Sequence, residues 1–207
     1  MSIRGRIFAG LYDSMLRGTE KAGLADHRAS LLSEAFGHVL EIGAGTGANL
    51  PYYSERVESL TVTEPEAPMA RKLEERIREQ SRAVELVSAP AEKLPFEDGR
   101  FDTVVSTLVL CTVEDQARAL GELRRRVLKA GGRLLFIEHL RADAPGLARW
   151  QDRLNGVSRV MGHGCNCNRS TLEAIRAAGF EITGVRHDKL PKSPPTHAPL
   201  AIGRATS

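Results

Sequence analysis

Apolar and polar positions follow a repeating rhythm along most of the chain. Strand-like apolar runs at 38–42, 59–63, 83–88, 101–107 and 132–138 are separated by helix-like stretches at 48–56, 67–80 and 115–129. Alternation of this kind predicts a parallel sheet with helices on both faces. The third stretch carries Ala119, Leu120, Leu123, Val127 and Leu128 at helical spacing, then meets Ala130-Gly131-Gly132, expected to stop the helix and open the fifth strand. Beyond 138 the rhythm changes. A long, partly apolar segment at 145–161 precedes a helix over 170–178, where Ser170 and Glu173 have capping-box spacing and Gly179 marks the end. A strand pair near 181–187 and 200–204 closes the sheet, with a proline-rich connection at 191–199 between them. The expectation is one α/β domain with a mostly parallel seven-stranded sheet and an antiparallel C-terminal strand. Residues 1–36 form a helical cap, 38–138 a cofactor-binding core, and 139–207 the substrate-side helices and closing strands. In the cap, Ile7, Phe8, Leu11, Tyr12, Met15 and Leu16 share one helical face, read as core packing.

Composition narrows the class. With 207 residues, 42% of them hydrophobic, the chain can bury a core of its own. No apolar run approaches the roughly 18 residues of a membrane span, and residues 1–6 lack the apolar block of a secretory signal. A cytoplasmic protein without stable membrane insertion is expected. Cys111, Cys165 and Cys167 give no disulfide framework and read as free thiols. Net charge is only +3, and aromatics are 5%, so neither a phosphate-binding surface nor a stacking platform for nucleic acid is indicated. The run Arg124, Arg125, Arg126 and Lys129 reads as a solvated helix face.

The chemistry concentrates at Val39-Leu-Glu-Ile-Gly-Ala-Gly-Thr-Gly47, a buried-strand run feeding three alternating glycines. Such a loop lets backbone approach a small nucleotide-like ligand, and at the carboxyl end of a parallel strand it lies where α/β sheets bind ligands. Glu64 follows Gly43 by 21 residues, in Thr63-Glu64-Pro65, at the spacing of a carboxylate that accepts hydrogen bonds from ribose hydroxyls. Ala91-Glu92 stand where an amide and a carboxylate can read an adenine edge, and Ser106-Thr107-Leu108 end the fourth strand. Gly43, Gly45 and Ala48 also satisfy the dinucleotide fingerprint, so the loop alone leaves NAD open. Glu41 favours a methionyl-adenosine: an acid before the loop would repel pyrophosphate and pair with an ammonium, directly or through water.

Taken together, 39–51, Thr63-Glu64-Pro65, Ala91-Glu92-Lys-Leu-Pro-Phe96, 101–111 and Leu128-Lys-Ala-Gly-Gly-Arg-Leu134 resemble the class I S-adenosylmethionine (SAM)-dependent methyltransferases of type 11. Ser106-Thr-Leu-Val-Leu-Cys111, Glu138-His139, Trp150-Gln151 and Gly164-Cys165 are similar to the methyltransferase-like family that includes animal thiol methyltransferases, whose amino-terminal hydrophobic anchor is not seen here. The resemblance implies a Rossmann-like fold, with SAM as methyl donor and S-adenosylhomocysteine as product. It also implies that Gly43, Ala44, Gly45 and Gly47 wrap the methionine and ribose, and that Glu64 holds the ribose and Ala91 with Glu92 the adenine. Thr107 and Leu108 would then lie beside the methyl, and Tyr12 would touch the cofactor tail. Gly164 and Cys165 would border the acceptor pocket.

Methyl transfer needs alignment and dryness more than a strong acid. A thiol or phenol acceptor must still lose a proton, and His139, just past the fifth strand, is the candidate general base. His163-Gly-Cys165-Asn-Cys167 looks like a ligand cluster, yet Cys-x-Cys is tighter than usual zinc spacing and no second pair is near in sequence, so no metal is expected. Trp150 and Gln151 are candidates for a pocket wall. The expected function is methyl transfer to a thiol, phenol or quinone-like small molecule. The competing readings are an NAD-dependent oxidoreductase and a non-catalytic SAM-binding protein. Ser106-Thr107-Leu108-Val109 lacks the Asn/Asp-Pro-Pro-aromatic motif of nucleic-acid amino-methylating enzymes.

Overall fold

The computed structural model describes residues 3–207; the side chains of residues 3–8 and of Arg126 lie outside that description. Helix α1 (Ile3–Thr19) runs through a π turn into α2 (Ala25–Leu32), and strand β1 (Gly37–Ile42) follows. The remaining elements are β2 (Val57–Thr63), α3 (Ala67–Arg78), β3 (Val84–Val87), β4 (Phe101–Thr107), α4 (Gln116–Glu122), β5 (Leu128–His139), α5 (Pro145–Met161), α6 (Thr171–Ala177), β6 (Glu181–Lys189) and β7 (Pro199–Thr206).

One sheet holds all seven strands in the order β3-β2-β1-β4-β5-β7-β6, parallel except where β7 meets β5 and β6. Strand order reverses between β1 and β4, which leaves a crevice at their carboxyl ends. Alternate residues of the central strands serve two cores because side chains alternate across a sheet. Leu40, Val104, Leu134 and Phe136 pack beneath α4 and α6, while Val39, Val105, Leu135 and Ile137 pack with Leu32 of α2 and Leu73 of α3. Both faces are covered, so these strands read as continuous apolar runs. Truncating a fully buried member such as Leu40 to Ala costs about 2–5 kcal/mol.

Four expectations need correction. The stretch 48–56 is not a helix: Gly47 sits at φ +87°, and the chain makes a turn and then a single 3-10 turn at Leu50–Tyr52. Pro51 lacks the N–H a continuing helix would use. The helix from Asp115 ends earlier than predicted, widening into a π turn at Leu123–Val127, and β5 begins at Leu128. Ala130, Gly131 and Gly132 then belong to a bulge between the pairs Phe101/Leu128 and Thr103/Arg133, where Gly131 takes φ +73°. The amino-terminal stripe is not core: Leu11 and Met15 are exposed, and Tyr12, Met15 and Leu16 line a cavity. Ile7 and Phe8 have side chains outside the described residues. Finally, Trp150 is 54% exposed and stacks under Arg153 instead of walling a pocket.

Candidate active site

A cavity of about 870 Å3 opens in the crevice, bounded by the exits of β1, β2, β4 and β5 and roofed by α1 and α5. Its two ends differ in chemistry.

At the β1 end, Gly43 and Gly45 border the cavity at φ +55° and +60°, a left-handed conformation that costs any other residue about 1–2 kcal/mol. A Cβ on Gly43 would meet Val109 at 2.8 Å, whereas one on Gly45 would find its nearest protein atom at 3.7 Å. Gly43 therefore serves the protein's own packing, and Gly45 keeps space beside the cavity. The Gly45 N–H donates to Glu64 Oε2 at 2.9 Å, and the Glu66 N–H donates to Oε1 at 2.8 Å. Burial pushes the Glu64 carboxyl up to about 7, against the pull of those two amides. Each oxygen retains accepting capacity, so a pair of vicinal hydroxyls fits here.

Pro65, Ala91 and Glu92 extend this wall, and one Glu92 oxygen also accepts the Glu114 and Asp115 amides. Thr107 and Leu108 face the middle of the cavity. Leu108 holds φ +59°, and the turn that carries it is pinned by Glu138, whose Oε1 accepts Ser106 Oγ at 2.7 Å and the Val109 and Leu110 amides at 3.0 and 3.1 Å. Burial pushes the Glu138 carboxyl up to about 7. Sequence reasoning named Glu138 only within a motif. Its signal was a lone acid ending the buried run Leu134-Leu-Phe-Ile137.

Three proposed cofactor contacts lie off the cavity wall. Ala44 and Gly47 sit behind the loop, and Glu41 is fully enclosed. Each Glu41 oxygen accepts one hydrogen bond, one from Asn49 Nδ2 at 2.9 Å and the other from the Tyr53 hydroxyl at 2.7 Å. Asn49 in turn accepts Arg28 Nη1 at 2.7 Å and donates to Thr107 Oγ1 at 3.0 Å. Glu41 thus gathers Asn49 and Tyr53 beneath the loop and does not itself border the cavity. Arg28 was missed; its signal was a lone arginine three residues before the apolar end Leu31-Leu32 of helix α2.

At the β5 end the wall is apolar and sulfur-rich. Tyr12, Met15 and Leu16 from α1 oppose Leu154, Val157 and Met161 from α5. The floor carries His139, 6% exposed, with Nδ1 lacking any hydrogen-bond partner and the ring edge-on to His197 at 6.0 Å. Burial pulls the His139 imidazole below its ordinary value. Cys111 and Cys165 adjoin it. His163, grouped with the cysteines by sequence, pairs with Glu66 instead. Gln151 is buried and ties the walls together, accepting the Ala142 amide and donating to the Leu140, Cys167 and Thr196 carbonyls. The connection after β6, including the short turn Pro195–His197, also lines the cavity, a contribution no local motif announced.

A parallel sheet with this crossover, a carboxylate at the second strand exit and a glycine loop at the first define a nucleoside-binding α/β protein. Residues 40–136 match the methyltransferase domain family (type 11), so the core of the chain carries a SAM-dependent methyltransferase domain. It is 34% identical over 159 residues to human thiol S-methyltransferase TMT1A, covering 75% of this chain and 64% of that protein. It is 33% identical over 128 residues to a phosphatidylethanolamine N-methyltransferase of Cereibacter sphaeroides, covering 61% and 62%. A SAM-dependent methyltransferase from Thermotoga maritima, described as a possible histamine N-methyltransferase, superposes with TM-score 0.71 at 26% identity over 100% of this chain and 99% of that one. The chain spans less than two thirds of the length of these curated relatives. Among the described residues, no helix is long and apolar enough to cross a membrane.

Proposed function

We propose that this chain transfers the methyl group of SAM to a small apolar acceptor, with a thiol favoured over a phenol or quinone-like molecule. The observation that carries this reading is the pairing of Glu64 with the Gly45 amide at one end of a cavity whose other end is apolar. The kinship with a thiol S-methyltransferase supports the acceptor class.

The residues present fit the cofactor. Glu64 would hold the ribose hydroxyls, Ala91 with Glu92 the adenine, and Gly45 the methionyl portion, with Tyr12 above it. When bound, SAM supplies an electrophilic methyl whose sulfonium charge disappears on transfer. The protein's task is to align the acceptor and keep water out, and the α1 and α5 side chains provide the dry wall. Thr107 and Leu108 stand between the two ends, where the reacting groups would meet. His139 lies on the acceptor side, where the sequence placed a proton acceptor. The buried thiols suit a reducing, cytoplasmic setting.

An NAD reading would need a pyrophosphate seat at a helix amino terminus. The loop leads instead into a turn and one 3-10 turn, so that seat is missing. Thermal-shift titration with S-adenosylhomocysteine, SAM and NAD tests the cofactor: stabilisation by the first two is expected, and stabilisation by NAD alone would sink the proposal. A panel of thiols, phenols and amines with mass detection of SAM-dependent product then tests the acceptor. Absence of product across the panel, with S-adenosylhomocysteine bound, would favour a non-catalytic binding protein.

A further inference from the structure

Three cysteines far apart in sequence meet beside the cavity. Cys165 Sγ lies 3.5 Å from Cys111 Sγ and 3.3 Å from Cys167 Sγ. All three are free and buried, and they form a cluster separate from both aliphatic cores. A ring nitrogen of His139 and the sulfurs of Cys165 and Cys167 lie within 4.8 Å of one another. The His139 Nδ1 is buried without a hydrogen-bond partner.

We propose that Cys111, Cys165, Cys167 and His139 form a tetrahedral zinc site that fastens the 162–168 loop to the ends of β4 and β5. The donor set, three sulfurs and one imidazole, is a closed structural set for this ion. Zinc–sulfur bonds of about 2.3 Å in a tetrahedron put sulfurs about 3.8 Å apart, close to the two separations from Cys165, whereas Cys111 lies outside the group of donors within 4.8 Å of one another and its side chain must swing inward to complete the set. The observed separations are far beyond a disulfide bond of about 2.05 Å, and three thiols can at most pair two and strand the third. The backbone around the ligands is already braced. The Asn166 amide donates to the Cys111 carbonyl at 2.8 Å, Gln151 Nε2 donates to the Cys167 carbonyl at 2.9 Å, and Arg169 Nη1 holds the Leu110 carbonyl at 2.7 Å. Such outer partners fix first-sphere ligands in established metal sites. The sequence argued against a metal because Cys-x-Cys had no second pair nearby; the fold supplies that pair from β4 and β5. Binding displaces the thiol protons to solvent, with no electron transferred. It also makes His139 a ligand in place of the base the sequence suggested.

The site borders the acceptor end of the cavity but does not require the methyl-transfer reading, and it is tested separately. Purified chain kept reduced is dialysed against Zn2+ and its metal content measured, then Co2+ is substituted and the visible spectrum recorded. One zinc per chain and the intense sulfur-to-cobalt absorption of a tetrahedral thiolate site are expected. Cys167→Ser and His139→Asn should each weaken zinc at least tenfold while S-adenosylhomocysteine still raises the melting temperature, which reports an intact fold. Substoichiometric zinc in the wild type would overturn the proposal, and so would unchanged zinc affinity in a Cys165→Ser/Cys167→Ser double variant. His139→Gln separates the two roles of the imidazole: a base loses turnover alone, a ligand loses zinc as well.

Discussion

The two ends of the cavity are built by different rules. The cofactor end rests on backbone amides, a left-handed glycine and one buried carboxylate, all within three strand exits that follow one another in sequence. The acceptor end is assembled from α1, α5, the 162–168 loop and the turn before β7, and its surfaces are mainly methyls, thioethers and thiols around the His139 and His197 imidazoles. Fixed polar geometry suits a ligand that never changes. Apolar walls on separate helices suit an acceptor whose shape varies, because dispersion contacts impose little direction. Substitutions at one end should therefore alter one ligand and spare the other.

The largest effect is expected at Glu64. Glu64→Ala removes an acceptor for two hydrogen bonds to a charged group, each worth about 1.5–3 kcal/mol, and should weaken S-adenosylhomocysteine about a hundredfold or more by calorimetry. Equal affinity in the variant would move the ribose elsewhere. The pH dependence comes next. Burial holds the Glu64 carboxyl up at about 7 in the free protein, and its charged form is the stronger acceptor of ribose hydroxyls, so at lower pH binding first costs a deprotonation. Affinity should be full above pH 8 and fall by up to tenfold per unit below 7. A flat profile between pH 8 and 5.5 would break the assignment. Gly45→Ala, at φ +60°, should weaken the cofactor about tenfold through backbone strain of 1–2 kcal/mol. The smallest effect is on the far wall: Leu154→Ala or Met15→Ala should raise the acceptor KM about two- to fivefold, by lost contact area, with S-adenosylhomocysteine affinity unchanged. A loss of cofactor affinity there would erase the distinction between the ends.

Legibility in the sequence followed the same division. The strands were readable because each central run is apolar on both faces, and the place of Glu64, Ala91 and Glu92 on the cavity wall was readable because a strand exit has a fixed place in such a sheet. What failed was local: at 48–56 the helical pattern yielded to Gly47 and Pro51, and the glycines at 131–132 made a bulge where a helix stop was expected. The network around Glu41 was hidden, because its charge was visible while its partners, Asn49 and Tyr53, were not. The thiol cluster could not be seen either, since Cys111 follows β4, His139 ends β5 and Cys165 lies between α5 and α6.

The chain of contacts from Glu20 through Arg28, Asn49 and Glu41 to Tyr53 has a consequence for the protein's architecture. Arg28 is the cation that offsets a carboxylate enclosed under the glycine loop, whose carboxyl is raised by burial and lowered by these partners. A chain beginning at β1 would leave Glu41 enclosed with no positive charge beside it, and the same amide that steadies Thr107 would lose its arginine. The helical cap is thus not an appendage that can be trimmed to a minimal domain: it supplies the arginine that holds Asn49, and through it Glu41, in place beneath the cofactor loop.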